Sequence, residues 1–173
     1  FFFSNNQIIF PNYDLLLITV VSLLVVFLFN IFGKIYLGDN GAYLAAFIIS
    51  ILLIEISKIN HRVSPFYIAN LLWYPAFENF FSIIRKIIQK KSPMSPDNHH
   101  LHQLLFSYFN KNRNFNKVFV NSFTACVINS FNFIIFAFAT MYYSNTKIQI
   151  LIILTSIFFY NLFYFILKKE IYN

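Results

Sequence analysis

Five long apolar runs constrain the fold of this chain more than any other feature. They cover Leu15–Phe32, Ala42–Ser57, Pro65–Ile84, part of Phe115–Tyr143, and Ile148–Leu167. A helix of 18 residues is about 27 Å long, close to the ~30 Å thickness of a bilayer core. Backbone inside lipid must satisfy its own hydrogen bonds, and the runs show no strand-like alternation. The sequence therefore predicts an all-α, polytopic membrane protein with about five transmembrane helices.

Composition supports the membrane class. Hydrophobic residues make up 58% of the chain and charged residues only 11%, which is too apolar for a soluble domain of 173 residues. The net charge of +7 comes without a basic–aromatic repeat, so it favours charged loops beside a membrane and no nucleic-acid partner. Cys126 is the single cysteine, which excludes an internal disulfide and predicts a small buried apolar side chain.

The distribution of basic residues predicts the orientation. If five spans alternate, ten of the thirteen lysines and arginines fall on one side: Lys34, seven in the loop 85–117, Lys168 and Lys169. The positive-inside rule makes that side cytoplasmic. We therefore expect one membrane domain over residues 1–173, with residues 85–117 as a cytoplasmic loop that contains histidines.

That loop contains the segment SPMSPDNHHLHQ, residues 92–103, with three of the four histidines. Ser95 is a suitable N-cap and Pro96 suits the first helical position, so a short helix is expected to begin there. On such a helix His100 and His102 point apart, which disfavours a shared metal ion.

A phosphate site suits this segment better than a metal site. The amides and the positive dipole end at the start of a helix attract anions, and Lys90 and Lys91 lie nearby. His99, His102 and Gln103 would share one face of that helix. A solvated basic loop beside the membrane remains the alternative.

The residues before this segment, SIIRKIIQKK, predict an amphipathic helix that leaves the membrane and lies along its surface. Ile83, Ile84, Ile87 and Ile88 would form its apolar face. Arg85, Lys86, Gln89 and Lys90 would cover the other.

Two acidic residues also call for an explanation. Asp39 lies in the segment GDNG, which indicates either a tight turn or a carboxylate that binds Mg²⁺ together with a phosphate. Glu78 lies within the third apolar run, where a carboxylate is costly and suggests a function. Arg85 follows two turns later on the same helical face, so a structural pair of Glu78 with Arg85, or snorkelling of the side chain toward the interface, is at least as good an interpretation as catalysis.

Four segments in this order resemble the polyprenyl-phosphate N-acetylhexosamine-1-phosphate transferases (glycosyl transferase family 4). These bacterial membrane enzymes start lipid-linked surface glycans such as lipopolysaccharide O-antigen and teichoic acid. The segments are KIYLGDNGAYLAAF (34–47), SPFY (64–67), YPAFENFFSIIRK (74–86) and KKSPMSPDNHHLHQLLF (90–106). The last is the most specific and is typical of the undecaprenyl-phosphate GlcNAc-1-phosphate transferase branch.

The resemblance implies transfer of N-acetylhexosamine-1-phosphate, most simply GlcNAc-1-phosphate, from a UDP-sugar to polyprenyl (undecaprenyl) phosphate. The expected setting is the cytoplasmic face of the bacterial inner membrane, with Mg²⁺ as cofactor and a homodimer as a compatible assembly. Asp39 resembles the catalytic, magnesium-linked aspartate, and His100 and His102 resemble the catalytic histidine motif. The resemblance also implies phosphate-binding roles for His99, Arg85, Lys91 and Gln103.

Some family features are missing. Gln103 stands where the family has a further histidine, and Ala42 replaces a frequent serine. The family's adjacent Asp-Asp pair and its Asn-rich Asp-Gly motif are absent. We therefore expect the chain to be the C-terminal part of a longer transferase, inactive without its N-terminal half. The alternatives are a non-catalytic membrane paralogue that binds polyprenyl phosphate or a partner enzyme and, less well supported, a small transporter.

Overall fold

The fold was obtained as a computed structural model, which describes residues 12–92, 95, 97, 99–111 and 116–172. These residues form seven α-helices and no strand, which confirms the all-α class. They belong to two compact units, Phe1–Pro65 and Phe66–Asn173.

The first unit contains α1 (Tyr13–Ile31) and α2 (Gly38–Ile59). Helix α1 ends in a Schellman motif around Gly33, whose φ of +66° suits glycine. The Gly33 amide donates to the carbonyl of Asn30 at 2.8 Å, and the following amide donates to Phe29 at 3.0 Å. These bonds satisfy the last carbonyls of α1 and turn the chain toward α2.

The second unit contains the other helices. They are α3 (Pro65–Leu71), α4 (Trp73–Ile88), α5 (Leu101–Asn110), α6 (Lys117–Met141) and α7 (Thr146–Tyr172). Buried side chains from four of them, α4 to α7, form the core: Trp73, Leu101, Leu104, Ile135, Tyr160, Tyr164 and Leu167. The core therefore fixes the short helix α5 against the long helices α6 and α7.

Four of these helices, α1, α2, α6 and α7, are long and apolar enough to cross a membrane. The third predicted span is instead divided at Leu72 into helices of 7 and 16 residues. Pro75 explains the division, because in one continuous helix it could not donate to the carbonyl of Leu71 and its ring would clash there. Within the first turn of α4 the missing N–H does not matter.

Buried amides attach α3 to the first turns of α7 and to the end of α6. The fully buried Asn70 donates from Nδ2 to Gln149 Oε1 at 2.6 Å and to the Gln149 carbonyl at 3.0 Å. Gln149 in turn donates from Nε2 to the carbonyl of Ala139 at 2.7 Å. Cys126 on α6 is exposed, so the prediction that it is buried was wrong. Since α6 is a candidate span, an exposed apolar side chain there can face lipid.

Candidate functional site

The loop that contains the histidines begins where α4 ends at Ile88. The Lys90 amide donates to the Ile87 carbonyl at 3.0 Å and the Lys91 amide donates to the Lys86 carbonyl at 2.9 Å. This is a Schellman motif in which Lys90, with φ of +55°, occupies the position that usually holds glycine. The chain therefore turns sharply at the end of α4.

A buried ion pair holds the next part of the loop against α4. Arg85 Nη2 contacts Asp97 Oδ2, and their side chains are only 9% and 6% exposed. Ser82 Oγ donates to the same oxygen at 2.5 Å, and the His99 amide donates to Asp97 Oδ1 at 3.0 Å. The other end of the guanidinium, Nη1, donates to Tyr164 Oη on α7 at 3.0 Å.

These contacts control the ionisation of Asp97. Burial by itself would raise its pKa, but the hydrogen bonds from Ser82 and the His99 amide and the charge of Arg85 lower the pKa to about 2. Asp97 is therefore a carboxylate at neutral pH, and it anchors the backbone immediately before His100.

A second buried carboxylate, Glu78 of α4, contacts the next residues of the loop. Glu78 Oε1 is 3.0 Å from His100 Nδ1 and accepts a hydrogen bond of 3.0 Å from the Leu101 amide. Glu78 and Arg85 thus have different partners, His100 and Asp97, so the predicted pair between them was wrong. Each contact crosses from α4 to the loop, and helical spacing along α4 gives no signal for it.

Helix α5 begins at Leu101, with His100 as its N-cap and Gln103 Oε1 accepting from the His100 amide at 3.1 Å. The prediction of a helix start at Ser95 was wrong, while Pro96 lies outside the described residues. Ser95 Oγ instead donates to the Ser92 carbonyl at 2.7 Å. Tertiary contacts of Asp97 and His99 hold the preceding backbone out of the helix, so local capping preference did not decide the boundary.

This shift changes the relation between two histidines. The rings of His100 and His102 are stacked, with centroids 5.6 Å apart and planes at 12°. The prediction that they point apart assumed helical backbone, but His100 is extended, with φ of −69° and ψ of 152°. Burial lowers the pKa of His102, the Glu78 carboxylate raises it, and His100 lowers it, with a net decrease.

The end of α7 holds the other side of the loop. Tyr172 Oη lies 3.1 Å from His99 Nδ1, and Lys111 Nζ donates to the Glu170 carbonyl at 2.8 Å. Lys91 is exposed at the surface of the loop. Sequence reasoning did not find Ser82, Tyr164 and Tyr172, because nothing in the local pattern links them to the histidines.

The isoleucine face of α4 is exposed, as an amphipathic helix predicts. Ile83, Ile87 and Ile88 are 43%, 59% and 75% exposed. Arg85 was expected on the solvated face, and this was wrong because the residue is buried against α7 and the loop. In α4 Glu78, Ser82 and Arg85 are buried in the protein, and the isoleucines are left for a surrounding apolar phase.

A cleft of about 630 Å³ opens beside His102 and Gln103, and most of its surface is apolar. Tyr74 of α4 and Phe106 of α5 contribute aromatic rings, while α6 contributes amides and a hydroxyl from Asn121, Thr124 and Asn129. The lining contains no lysine, arginine or carboxylate. Such a surface suits an uncharged ligand with hydroxyl and amide groups.

Asp39 lies in the other unit, in the first turn of α2, and is exposed. The GDNG segment starts a helix, so its interpretation as a tight turn was wrong. Gly38 has φ of +67°, and a Cβ on Gly41 would lie 2.8 Å from Leu37 Cδ1. Across the described ranges, no group of three or more His, Cys, Asp and Glu side chains could hold a metal by itself.

Comparison with known proteins gives partial matches. A protein of Bacillus subtilis (strain 168), "Probable undecaprenyl-phosphate N-acetylglucosaminyl 1-phosphate transferase", is 32% identical over 97 residues, which is 55% of this chain and 27% of the relative. The chain is similar to transferases of this kind. An "Undecaprenyl-phosphate alpha-N-acetylglucosaminyl 1-phosphate transferase" of Thermotoga maritima is 31% identical over 72 residues, which is 42% of this chain and 23% of the relative.

These matches confirm the resemblance inferred from the four sequence segments. The matched stretch spans only about a quarter of each transferase's length. No protein-family model matches the chain, and no solved structure matches it significantly.

Proposed function

We propose that the protein transfers GlcNAc-1-phosphate from a UDP-sugar to undecaprenyl phosphate and so starts a lipid-linked surface glycan. The observation that carries this proposal is the stacked pair His100 and His102, whose ring centroids lie 5.6 Å apart next to a cleft without charged lysine, arginine or carboxylate side chains. The partial similarity to two transferases supports it, as do four helices long enough to span a membrane.

In the proposed reaction an oxygen of the lipid phosphate attacks the β-phosphorus of the UDP-sugar. The new P–O bond forms as the bond to the α-phosphate breaks, and UMP leaves. Two anions must approach one another, so groups that donate to phosphate oxygens stabilise the transition state. We assign this role to His100 and His102.

The remaining predicted phosphate contacts differ in their surroundings. Lys91 is exposed and can reach an anion from solvent. His99 and Gln103 already have partners in Tyr172 and the His100 amide, and Arg85 is paired with Asp97. We propose that these three residues act on the phosphates while they hold the loop in shape.

Mg²⁺ is the proposed cofactor, and Asp39 fits a share of its coordination shell. Mg²⁺ usually takes one or two protein carboxylates and completes its shell with water and substrate phosphates. An exposed carboxylate in a first helical turn, without a hydrogen bond or ion pair among the described residues, is available for this role. When bound, the ion would disperse negative charge on the phosphates.

The cleft beside His102 is the proposed place for the sugar of the donor. Its aromatic rings and amides match a pyranose with an acetamido group better than they match a phosphate, since no cationic residue lines it. The exposed isoleucines of α4 are proposed to face the membrane, with the loop on the cytoplasmic side.

The test is a transfer assay on bacterial plasma membranes that contain the full-length gene product. Labelled UDP-GlcNAc, UDP-GalNAc and UDP-glucose are each supplied with undecaprenyl phosphate, and lipid-linked product and UMP are measured. We expect product from UDP-GlcNAc, loss of product with EDTA and recovery with Mg²⁺. Binding of undecaprenyl phosphate without any UMP release would favour the non-catalytic paralogue instead.

A further inference from the structure

Glu78 is a buried carboxylate to which the proposed function gives no role. Its residue is 8% exposed, and it lies on α4 within an otherwise apolar stretch. Taking a carboxylate out of water costs several kcal/mol unless it is paired or hydrogen-bonded. The hydrogen-bonding partners of Glu78 should therefore explain why this position holds a carboxylate.

Both hydrogen-bonding contacts of Glu78 Oε1 are at the histidine motif, while its other carboxylate oxygen is buried without a hydrogen-bond partner among the described residues. Leu101, the first residue of α5, has an amide with no acceptor inside its own helix, and Glu78 Oε1 supplies one at 3.0 Å. A negative charge at a helix N-terminus is also favourable. Glu78 thus fixes where α5 begins.

The same oxygen sets the orientation of the His100 ring. Oε1 already accepts from the Leu101 amide, so the geometry assigns the donor role in the second contact to His100 Nδ1, at 3.0 Å. Nε2 is left on the opposite edge of the ring, 3.9 Å from Asp97 Oδ2, which is beyond hydrogen-bond distance. Because the His100 side chain is 22% exposed and Nε2 has no hydrogen bond among the described residues, a ligand can reach that edge.

We propose that Glu78 is a positioning residue that acts through His100. By holding Nδ1 and the Leu101 amide on one oxygen, it presents Nε2 to a phosphate oxygen of the substrate and keeps the ring stacked on His102. Carboxylates that orient metal-binding histidines are typically worth about 10- to 100-fold, and we expect an effect of similar size here. This inference rests on the proposed transferase function.

The test is a double-mutant cycle in the full-length protein, with Glu78→Ala, His100→Ala and the double variant. We expect Glu78→Ala to lower kcat about 10- to 100-fold. In the His100→Ala background the same substitution should have almost no effect on kcat, because the imidazole ring that Glu78 orients is absent. An equal loss in both backgrounds would show a general structural role and overturn the proposal.

Glu78→Gln keeps the inference testable if Glu78→Ala does not fold. Glutamine retains one acceptor oxygen at nearly the same position, so it should fold and recover part of the lost kcat. The matched control is Glu55→Gln on α2. The Glu55 carboxylate accepts from Asn12 at 2.6 Å in the other unit, and this variant should transfer at the wild-type rate.

If wild-type protein transfers nothing, the proposed function fails. If the wild type is active and both Glu78→Gln and Glu78→Ala transfer at the wild-type rate, the role of Glu78 alone is overturned.

Discussion

The GDNG segment of α2 and the histidine loop after α4 are the two most polar motifs of the sequence, and they are built in opposite ways. Asp39 is exposed, and backbone features at Gly38 and Gly41 shape its surroundings. The histidines depend on buried side chains from α4 and α7, above all Glu78, Arg85 and Tyr164. A change at Asp39 should therefore affect chemistry alone, while changes under the histidines should also affect stability.

The largest expected effect is the loss of transfer activity on substitution of the exposed Asp39. We expect Asp39→Asn to reduce transfer at least about 10²-fold, because it removes a charged ligand from the proposed Mg²⁺ site. The melting temperature should stay unchanged, since exposed residues contribute little to stability. Transfer kinetics and thermal unfolding in detergent give both values.

A matched control for that substitution is Asp14→Asn. Asp14 is also an exposed aspartate in the first turn of a helix, α1, and has no proposed role. It should transfer like the wild type. Near wild-type activity of Asp39→Asn would remove Asp39 from the site.

The next largest effect is the loss of stability when the buried ion pair of Arg85 and Asp97 is broken. Asp97→Ala leaves the Arg85 guanidinium buried without its carboxylate, which should lower the free energy of unfolding by about 3–5 kcal/mol. Chemical denaturation in detergent measures it. Lys91→Ala, an exposed change in the same loop, should stay within about 0.5 kcal/mol of wild type. Equal stability of the two variants would contradict the buried ion pair.

Acidification probes the same carboxylate without a large change in packing. The pKa of Asp97 in the folded protein is about 2, below its ordinary 3.8. Its stabilisation, about 2 kcal/mol, is therefore present above pH ~4 and is lost as the pH falls toward 2. Unfolding free energies across this range should show the decrease, and Asp97→Asn should remove that component.

The smallest expected change in the free energy of unfolding is at the C-terminal ends of α1 and α4. Both ends close with the same hydrogen-bond pattern, around Gly33 and Lys90. Lys90 adopts a left-handed φ of +55°, so Lys90→Gly should stabilise the protein by about 1 kcal/mol. Gly33→Ala should destabilise it by a similar amount. Lys91→Gly serves as the control, and a gain there equal to that of Lys90→Gly would show that φ is not the cause.

Features set by local sequence were predictable, and features set by long-range contacts were not. Four apolar runs became helices of the predicted kind. The break at Leu72 could have been found as well, because Pro75 forbids a continuous helix. The polar character of residues 92–103 was also evident from sequence.

The internal arrangement of the histidine loop could not be predicted from the sequence. Ser95 has the right chemistry for an N-cap, yet contacts of Asp97 with Arg85 and of Glu78 with Leu101 move the N-cap of α5 to His100 and its start to Leu101. The extended backbone at His100 then brings its ring onto His102. Helical spacing cannot anticipate a geometry that depends on partners 12 to 23 residues away.

His100 and His102 are proposed to contact the substrate phosphates, and UMP release by the full-length protein in membranes tests this role most directly. His100→Ala and His102→Ala should each lower the rate at least about 10²-fold. His61→Ala, which changes the one histidine outside the loop, should release UMP at the wild-type rate. Equal rates for all three variants and the wild type would contradict the account.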